Sequence, residues 1–447
     1  MKPAELFKAR LCRAHFMEIF DEYFQDGSAI GRDGVRLSVF QAEIDSEIDI
    51  ILRKVGSGTY KFTSYKEKLI LKGANKSPRQ ISIPTIRDKL VLKFLSLLLA
   101  EIYPDHVTKP PHEFIKNIHR ESASRPPTTS YLRLDIQNYF PSIDHKIMLR
   151  VLRQKIRQKN LLAVIFSALE TPTGRKKDHS NPITIGVPQG LSISNILSSI
   201  YLAGIDEQMR AIPNSEYFRF VDDILVIADN STAATLSREI PSTLKSKRKI
   251  ICHKVGEGSK STLLPISRGI DYLGYYFCGD IIQVRKTSFN KMFGNLMKLF
   301  TGMKYRKNRG PLIWKMNLRI SGCIFEGRKI GWIFFFIQSN NTQQLKQLDA
   351  FIASRAKVVL EEADCERLKK FTKAYHEIRH NYRYSSYYPN FDNFDEGQKR
   401  AQIAILIPRK PTSEIDLLTG DDLDDLFKRC ISKEISELEK DMMEVFS

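Results

Sequence analysis

Tyr217-Phe-Arg-Phe-Val-Asp-Asp-Ile-Leu-Val-Ile-Ala228 sets two adjacent carboxylates between two apolar stretches. The pattern predicts a tight hairpin whose arms are buried strands and whose tip carries Asp222 and Asp223. Holding two like charges together beside buried arms is costly unless a cation neutralises them, and hard carboxylate oxygens suit Mg²⁺. By itself an Asp-Asp pair fits a solvated surface turn equally well, so the choice falls to the rest of the chain.

A third carboxylate lies upstream. Tyr131-Leu-Arg-Leu-Asp-Ile136 reads as a strand ending on Asp135, 87 residues before Asp222. That spacing is compatible with two antiparallel elements meeting edge to edge and clamping two divalent ions. Two metals about 3.5–4 Å apart activate an attacking hydroxyl and stabilise a leaving oxygen in an in-line displacement. This is the chemistry of a nucleotide polymerase.

Composition agrees with such a substrate. The 447 residues exceed one ordinary core, so two or three domains are expected, and a 42% hydrophobic fraction supports a globular protein. The net charge of +19 favours a polyanionic partner, nucleic acid first, over a merely lysine-rich solvated surface. The charge is uneven: residues 412–447 hold eleven acids against four bases, a net of −7, which leaves +26 on the rest. An acidic tail of this kind either docks on a neighbouring subunit, shields a binding groove or forms a solvated helix. Six scattered cysteines without Cys-x-x-Cys spacing, and a start lacking an apolar signal run, are expected of a reducing cytoplasm without structural zinc. The longest charge-free stretch, 179–205, is broken by Pro182, Gly186, Pro188, Gly190 and Asn195, so no membrane span is expected.

Periodicity predicts one N-terminal helical element over 1–59, with a helix from Ala4 to Phe24. Extended, basic segments follow between Tyr60 and Ile83, then a buried helix from an acidic cap at Asp88 to Tyr103. Further helices are expected from Asp144 and from near Ser192, the latter after the turn Gly186-Val-Pro-Gln-Gly190. Beyond 285 the chain reads as mostly helical, Leu345, Leu348, Ile352 and Val359 marking one face. The apolar runs near Leu318 and Trp332 read as core, with a subunit or partner-protein interface as the alternative. The fold class expected is α+β.

Taken in order, four segments resemble the reverse transcriptases of the prokaryotic, retroelement-related type. Asp135-Ile-Gln-Asn-Tyr-Phe140 resembles the first acidic motif, Pro188-Gln-Gly-Leu-Ser-Ile-Ser194 the Pro-Gln-Gly motif, Phe220-Val-Asp-Asp223 the aromatic-x-Asp-Asp motif, and Tyr272-Leu-Gly-Tyr275 the primer grip. Upstream, Arg79-Gln-Ile-Ser-Ile-Pro-Thr-Ile-Arg-Asp-Lys89 is similar to the fingers segment, so the likeness covers about 60–280. It implies a right-hand polymerase fold, with fingers and palm over 60–285 and a mostly helical thumb and extension over 286–447.

Carried over by position, the resemblance makes Asp135, Asp222 and Asp223 catalytic and metal-binding, with the Ile136 carbonyl as a backbone ligand. The ions implied are two Mg²⁺, with Mn²⁺ as an alternative. Arg79, Phe140, Gln189, Gly190 and Lys260 fall at nucleotide-binding positions, and Tyr272, Leu273, Gly274 and Tyr275 at the primer grip. Phe140 stands where bulk excludes a ribose 2′ hydroxyl, which implies dNTP substrates and a DNA product. Lys304, Arg306 and Lys307 form a basic cluster for nucleic-acid backbone, a solvated loop being the plainer alternative. Partners implied are an RNA template, in particular a cognate non-coding RNA, with a homo-oligomer or partner protein open. Phe220 in place of the commoner tyrosine implies altered fine positioning more than lost activity, while Asn195, where many relatives have proline, with Leu-Ser-Ile-Ser-Asn after Pro-Gln-Gly, resembles bacterial defence-associated and other unassigned reverse transcriptases more than retroviral ones. Alternatives are a retron or group II intron-like enzyme, disfavoured because no maturation or endonuclease region is traceable, a protein-primed or untemplated polymerase using tyrosines such as Tyr384, and an RNA-binding scaffold with a decayed site.

Overall fold

The computed structural model of the chain describes residues 2–24, 29–71, 78–174, 183–306 and 308–443. The chain folds as two compact units: Met1–Pro110 with Thr128–Pro265, and Pro111–Pro127 with Ile266–Ser447. Helices and antiparallel sheets lie in both, which is the α+β class expected. Among the described residues no helix is long and apolar enough to cross a membrane. All six cysteines are free.

In the first unit the N-terminal helix breaks at Leu11-Cys12 into Pro3–Arg10 and Arg13–Tyr23, and its aromatics enter the core, Phe16 stacking on Phe94 at 4.7 Å. The central helix Ile86–Ile102 is buried on nearly every side. Its cap is Thr85, whose hydroxyl accepts from the Asp88 amide at 3.2 Å, so the acidic cap expected at Asp88 is a correction. Asp88 is buried one turn in, where it accepts from the Tyr60 hydroxyl (2.8 Å) and the Thr63 amide (3.1 Å). Those bonds hold Tyr60–Thr63 as loop, and the extended pair is β1 (Lys66–Ile70) with β2 (Arg79–Ile83).

The centre of this unit is an antiparallel sheet of four strands: β3 (Thr129–Asp135), β4 (Ser215–Phe220), β5 (Asp223–Asp229) and β6 (Thr262–Pro265), in the order β4-β5-β3-β6. Leu132 and Leu134 on β3 and the run Ile224–Ala228 on β5 are buried, because helices cover the sheet. Asp229 closes β5 and caps the helix Asn230–Arg248 by accepting from the Ser231 and Thr232 amides. Asp144 likewise caps His145–Arg153.

In the second unit β7 (Ile270–Tyr272), β8 (Tyr275–Cys278) and β9 (Ile281–Val284) form a meander, packed by the helix Pro111–Ser124. Helices dominate after it, interrupted by the hairpin of β10 (Cys323–Phe325) and β11 (Arg328–Ile330). On Thr342–Val359 the buried stripe is Leu345, Leu348, Ile352 and Ala356; Val359 is only half-buried. The acidic C-terminal segment is not a detached tail. Its helix Gly420–Met443 buries Leu423, Phe427, Ile431, Ile435 and Leu438 in its own unit's core, while Lys315 and Arg319 pair with Glu434 and Asp441 at 2.7 Å. The fully solvated helix expected here is thus replaced by an amphipathic helix with one face in the core.

Candidate active site

Register places the carboxylates. In the β3–β5 pair Asp135 lies directly opposite Asp223, and in the β4–β5 hairpin Phe220 lies opposite Asp223. Val221 and Asp222 are therefore a two-residue loop, and Val221 has φ +57°. Positive φ at the first loop position suits a two-residue hairpin, but glycine is the usual occupant. Past the end of β3 the Ile136 amide donates to the Asp222 carbonyl at 3.0 Å, which ties the loop to the chain following Asp135.

The three carboxylates have different surroundings. Asp223 is gripped by Arg133, whose Nε donates to Oδ1 at 2.9 Å and whose second nitrogen donates to Oδ2 at 2.7 Å. Both its oxygens face a guanidinium, so the direct metal role expected of Asp223 meets a competing partner. Burial pushes the Asp223 carboxyl up to about 6, against the pull of Arg133. Asp222 stands at the accessible tip, where partial desolvation by the loop and the nearby Asp135 charge raise its carboxyl. Asp135 is approached by His253 Nε2 at 3.4 Å and Lys260 Nζ at 3.6 Å, and its amide donates to the Ser261 hydroxyl at 3.0 Å. Lys260 and Arg79 also act electrostatically on Asp222, lowering its carboxyl against that rise. Among the described residues no group of three His, Cys, Asp or Glu side chains could hold a metal alone. Two carboxylates at one point nevertheless fit Mg²⁺, which is commonly held by one or two carboxylates together with substrate phosphates.

Beside the carboxylates β2 docks on the Pro-Gln-Gly turn. The Ser82 amide donates to the Gln189 carbonyl at 2.7 Å, and Arg79 Nε donates to Gln189 Oε1 at 2.6 Å. Gly190, at φ +96°, has no room for a side chain: a Cβ would lie 2.7 Å from Ile81 Cγ2 and 3.2 Å from the Ser82 carbonyl oxygen. Phe140 is half-buried, and its carbonyl accepts from the Val187 amide at 2.9 Å, which fixes it against the same turn. The five sequence-expected residues Arg79, Phe140, Gln189, Gly190 and Lys260 thus belong to the unit that carries Asp135 and Asp222.

The remaining expected residues lie in the second unit. Tyr272 and Tyr275 are paired across a tight turn in which Leu273 (φ +47°) and Gly274 (φ +82°) are both left-handed. Both rings are fully buried, and the Tyr275 hydroxyl donates to the Phe335 carbonyl at 2.5 Å. The turn is therefore shaped by its tyrosines from inside. Lys304 and Arg306 are exposed, and Lys307 lies outside the described residues. Tyr384 is 87% exposed, whereas Tyr388 is buried and donates to the Tyr382 carbonyl.

Sequence reasoning missed Arg133 and His253. Arg133 was within reach, because alternation along β3 puts it on the same face as Asp135 in an otherwise apolar strand. His253 comes from a segment 118 positions away and leaves no local signal.

The profile of the family described as reverse transcriptase (RNA-dependent DNA polymerase) matches residues 67–277. The chain is similar to the group II intron-encoded protein LtrA of Lactococcus lactis subsp. cremoris, 26% identical over 172 residues, which cover 36% of this chain and 28% of that protein. An uncharacterized 91 kDa protein in a cob intron of Schizosaccharomyces pombe is 31% identical over 166 residues, covering 36% of this chain and 20% of that one. The Escherichia coli K12 protein YkfC is 23% identical over 351 residues, covering 66% of this chain and 87% of its own. Among solved structures, the telomerase from Candida albicans in complex with a telomeric RNA fragment aligns at a TM-score of 0.42 and 13% identity, over 91% of this chain and 67% of that one. The chain spans under a third of the first two relatives. The matched segment contains every site residue of the first unit, from Arg79 to Lys260, and it is similar to the reverse transcriptase family and to the intron-encoded relatives over this span.

Proposed function

We propose that the protein is an RNA-directed DNA polymerase that extends a 3′ hydroxyl with dNTPs. The observation that carries this reading is the meeting of Asp135 and Asp222 where β3 ends, with the Ile136 amide bonded to the Asp222 carbonyl. Asp135, Asp222 and the Ile136 carbonyl would hold the divalent ions, which when bound lower the pKa of the attacking hydroxyl and neutralise the leaving pyrophosphate. Asp223 acts from behind them: paired with Arg133, it fixes the start of β5. Arg79 and Lys260 sit close enough to Asp222 to influence it, and they would meet the triphosphate of the incoming nucleotide. The turn at Gln189-Gly190 would support the base, its glycine letting backbone approach closely. Phe140 would press against C2′ and reject ribonucleotides.

The template proposed is a cognate non-coding RNA, and the setting proposed is antiphage defence in the cytoplasm. That finer reading is supported by the sequence around Leu191-Ser-Ile-Ser-Asn195 and by resemblance alone. Asp222→Asn is expected to abolish dNTP incorporation on a primed RNA while RNA affinity stays within about twofold, because affinity rests on distributed positive charge. Undiminished synthesis would overturn the polymerase reading. Sequencing nucleic acid that copurifies with the protein tests the template.

A further inference from the structure

Arg219, a residue none of the four sequence motifs includes, lies beneath the catalytic loop. Its side chain is 5% exposed and that of its partner Asp206 is 1% exposed. Arg219 grips Asp206 through two nitrogens, Nε at 2.8 Å and Nη2, and the Tyr217 hydroxyl donates to the same carboxylate at 2.8 Å. The third guanidinium nitrogen points elsewhere. Nη1 donates to the Val221 carbonyl at 2.9 Å, and Nη2 also reaches the Ser199 carbonyl at 3.3 Å.

Three consequences follow from this geometry. Asp206 and Ser199 belong to the helix Ser194–Arg210, which continues directly from the Pro-Gln-Gly turn, so Arg219 ties that helix to the hairpin tip. The Val221 carbonyl belongs to the peptide leading into Asp222, while the carbonyl of Asp222 is held by the Ile136 amide. Both peptides flanking the metal-binding carboxylate are thereby fixed. Val221 is also β-branched at φ +57°, a conformation that persists only where surroundings impose it.

We propose that Arg219 is a positioning residue that holds the Val221-Asp222 loop in the conformation in which Asp222 binds the divalent ion. This rests on the polymerase reading for its consequence in catalysis, but not for its geometry. Only a planar fork serves both acceptors at once; a lysine can neutralise Asp206 yet cannot hold Asp206 and the Val221 carbonyl together. A purely structural ion pair would contribute to folding and leave metal affinity alone.

The test uses the full chain and Mn²⁺ as probe. Arg219→Lys is expected to weaken Mn²⁺ binding by calorimetry about 10-fold or more, as loss of partners behind a metal ligand generally does. Hydrogen exchange of the peptide 217–229 should quicken, and kcat for dNTP incorporation should fall in parallel while the KM for dNTP changes little. Tyr217→Phe weakens the same buried cluster without touching the loop, so it should lower Tm and leave Mn²⁺ affinity alone. Should Arg219→Lys fail to fold, the triple variant Arg219→Met, Asp206→Leu, Tyr217→Phe replaces the cluster with apolar volume, which is often neutral or stabilising. It should fold and still lose Mn²⁺ affinity. Wild-type Mn²⁺ affinity in either folded variant overturns the proposal. A wild-type protein that incorporates no dNTP, together with variants that bind Mn²⁺ weakly, would leave the positioning role standing and remove the polymerase reading.

Discussion

Phe140 bonds to the Pro-Gln-Gly turn through its carbonyl and Gly190 lies in that turn against β2, and each makes a residue-level prediction. If Phe140 excludes a 2′ hydroxyl by contact, Phe140→Ala should narrow the preference for dNTP over rNTP in kcat/KM by about 10-fold or more while dNTP incorporation survives more slowly. Equal discrimination in wild type and variant would make Phe140 a packing residue only. Gly190→Ala places a methyl 2.7 Å from Ile81 Cγ2 at a φ of +96°, and it should destabilise the fold by about 1–3 kcal/mol. A thermal melt that shows no shift would mean that β2 yields easily. What the sequence displayed at this scale were groups announced by their neighbours: Asp135 at the end of an apolar strand, Asp222 between apolar arms. The partners of those groups were hidden. Arg133 and Arg219 are two among 70 lysines and arginines and His253 is one of nine histidines, and only the fold tells which of them faces a carboxylate.

At the level of elements, the strands around Asp135 and Asp222 follow from local patterns, as does the helix that starts at Asp144, whereas the helix Asn230–Arg248 capped by Asp229 was not read from the sequence. Errors arose where a long-range contact overrode a local preference. Asp88 looks like a cap from its neighbours, but Tyr60 and Thr63 reach it from 25 or more residues away and draw it into the core. The C-terminal helix misled for the opposite reason. Its acids dominate the composition, yet Leu423, Phe427, Ile431, Ile435 and Leu438 recur at three- and four-residue spacing and make a buried stripe. Phe427→Ala should therefore cost about 3–5 kcal/mol, as for any large core aromatic, and speed hydrogen exchange across its unit. A solvated acidic helix would show neither change.

For the molecule as a whole, the acids near the C-terminus are partly neutralised by Lys315, Arg319, Arg328 and Lys399, so the positive charge elsewhere remains available to a polyanion. Log affinity for single-stranded RNA should fall linearly with log salt, by roughly 0.7 per phosphate contact. Reversing Lys304 and Arg306 to glutamate should reduce that slope by roughly 1.4 if both touch backbone. An unchanged slope would place the contacts elsewhere. The excursion of Pro111–Pro127 into the second unit is bracketed in the sequence by Pro110-Pro111 and Pro126-Pro127, but such pairs mark a turn and do not tell which unit the helix between them joins. That excursion has a consequence during synthesis. The helix Pro111–Ser124 carries Ile115 and Ile118 buried, and the strands it packs on begin only at Tyr275. A ribosome adding about 5–20 residues per second needs on the order of 7–30 s to deliver them. For that interval the first unit completes itself while an amphipathic helix of its successor lacks the strands that cover its apolar face, and a nascent chain stalled near residue 265 should be the species most strongly retained by chaperones.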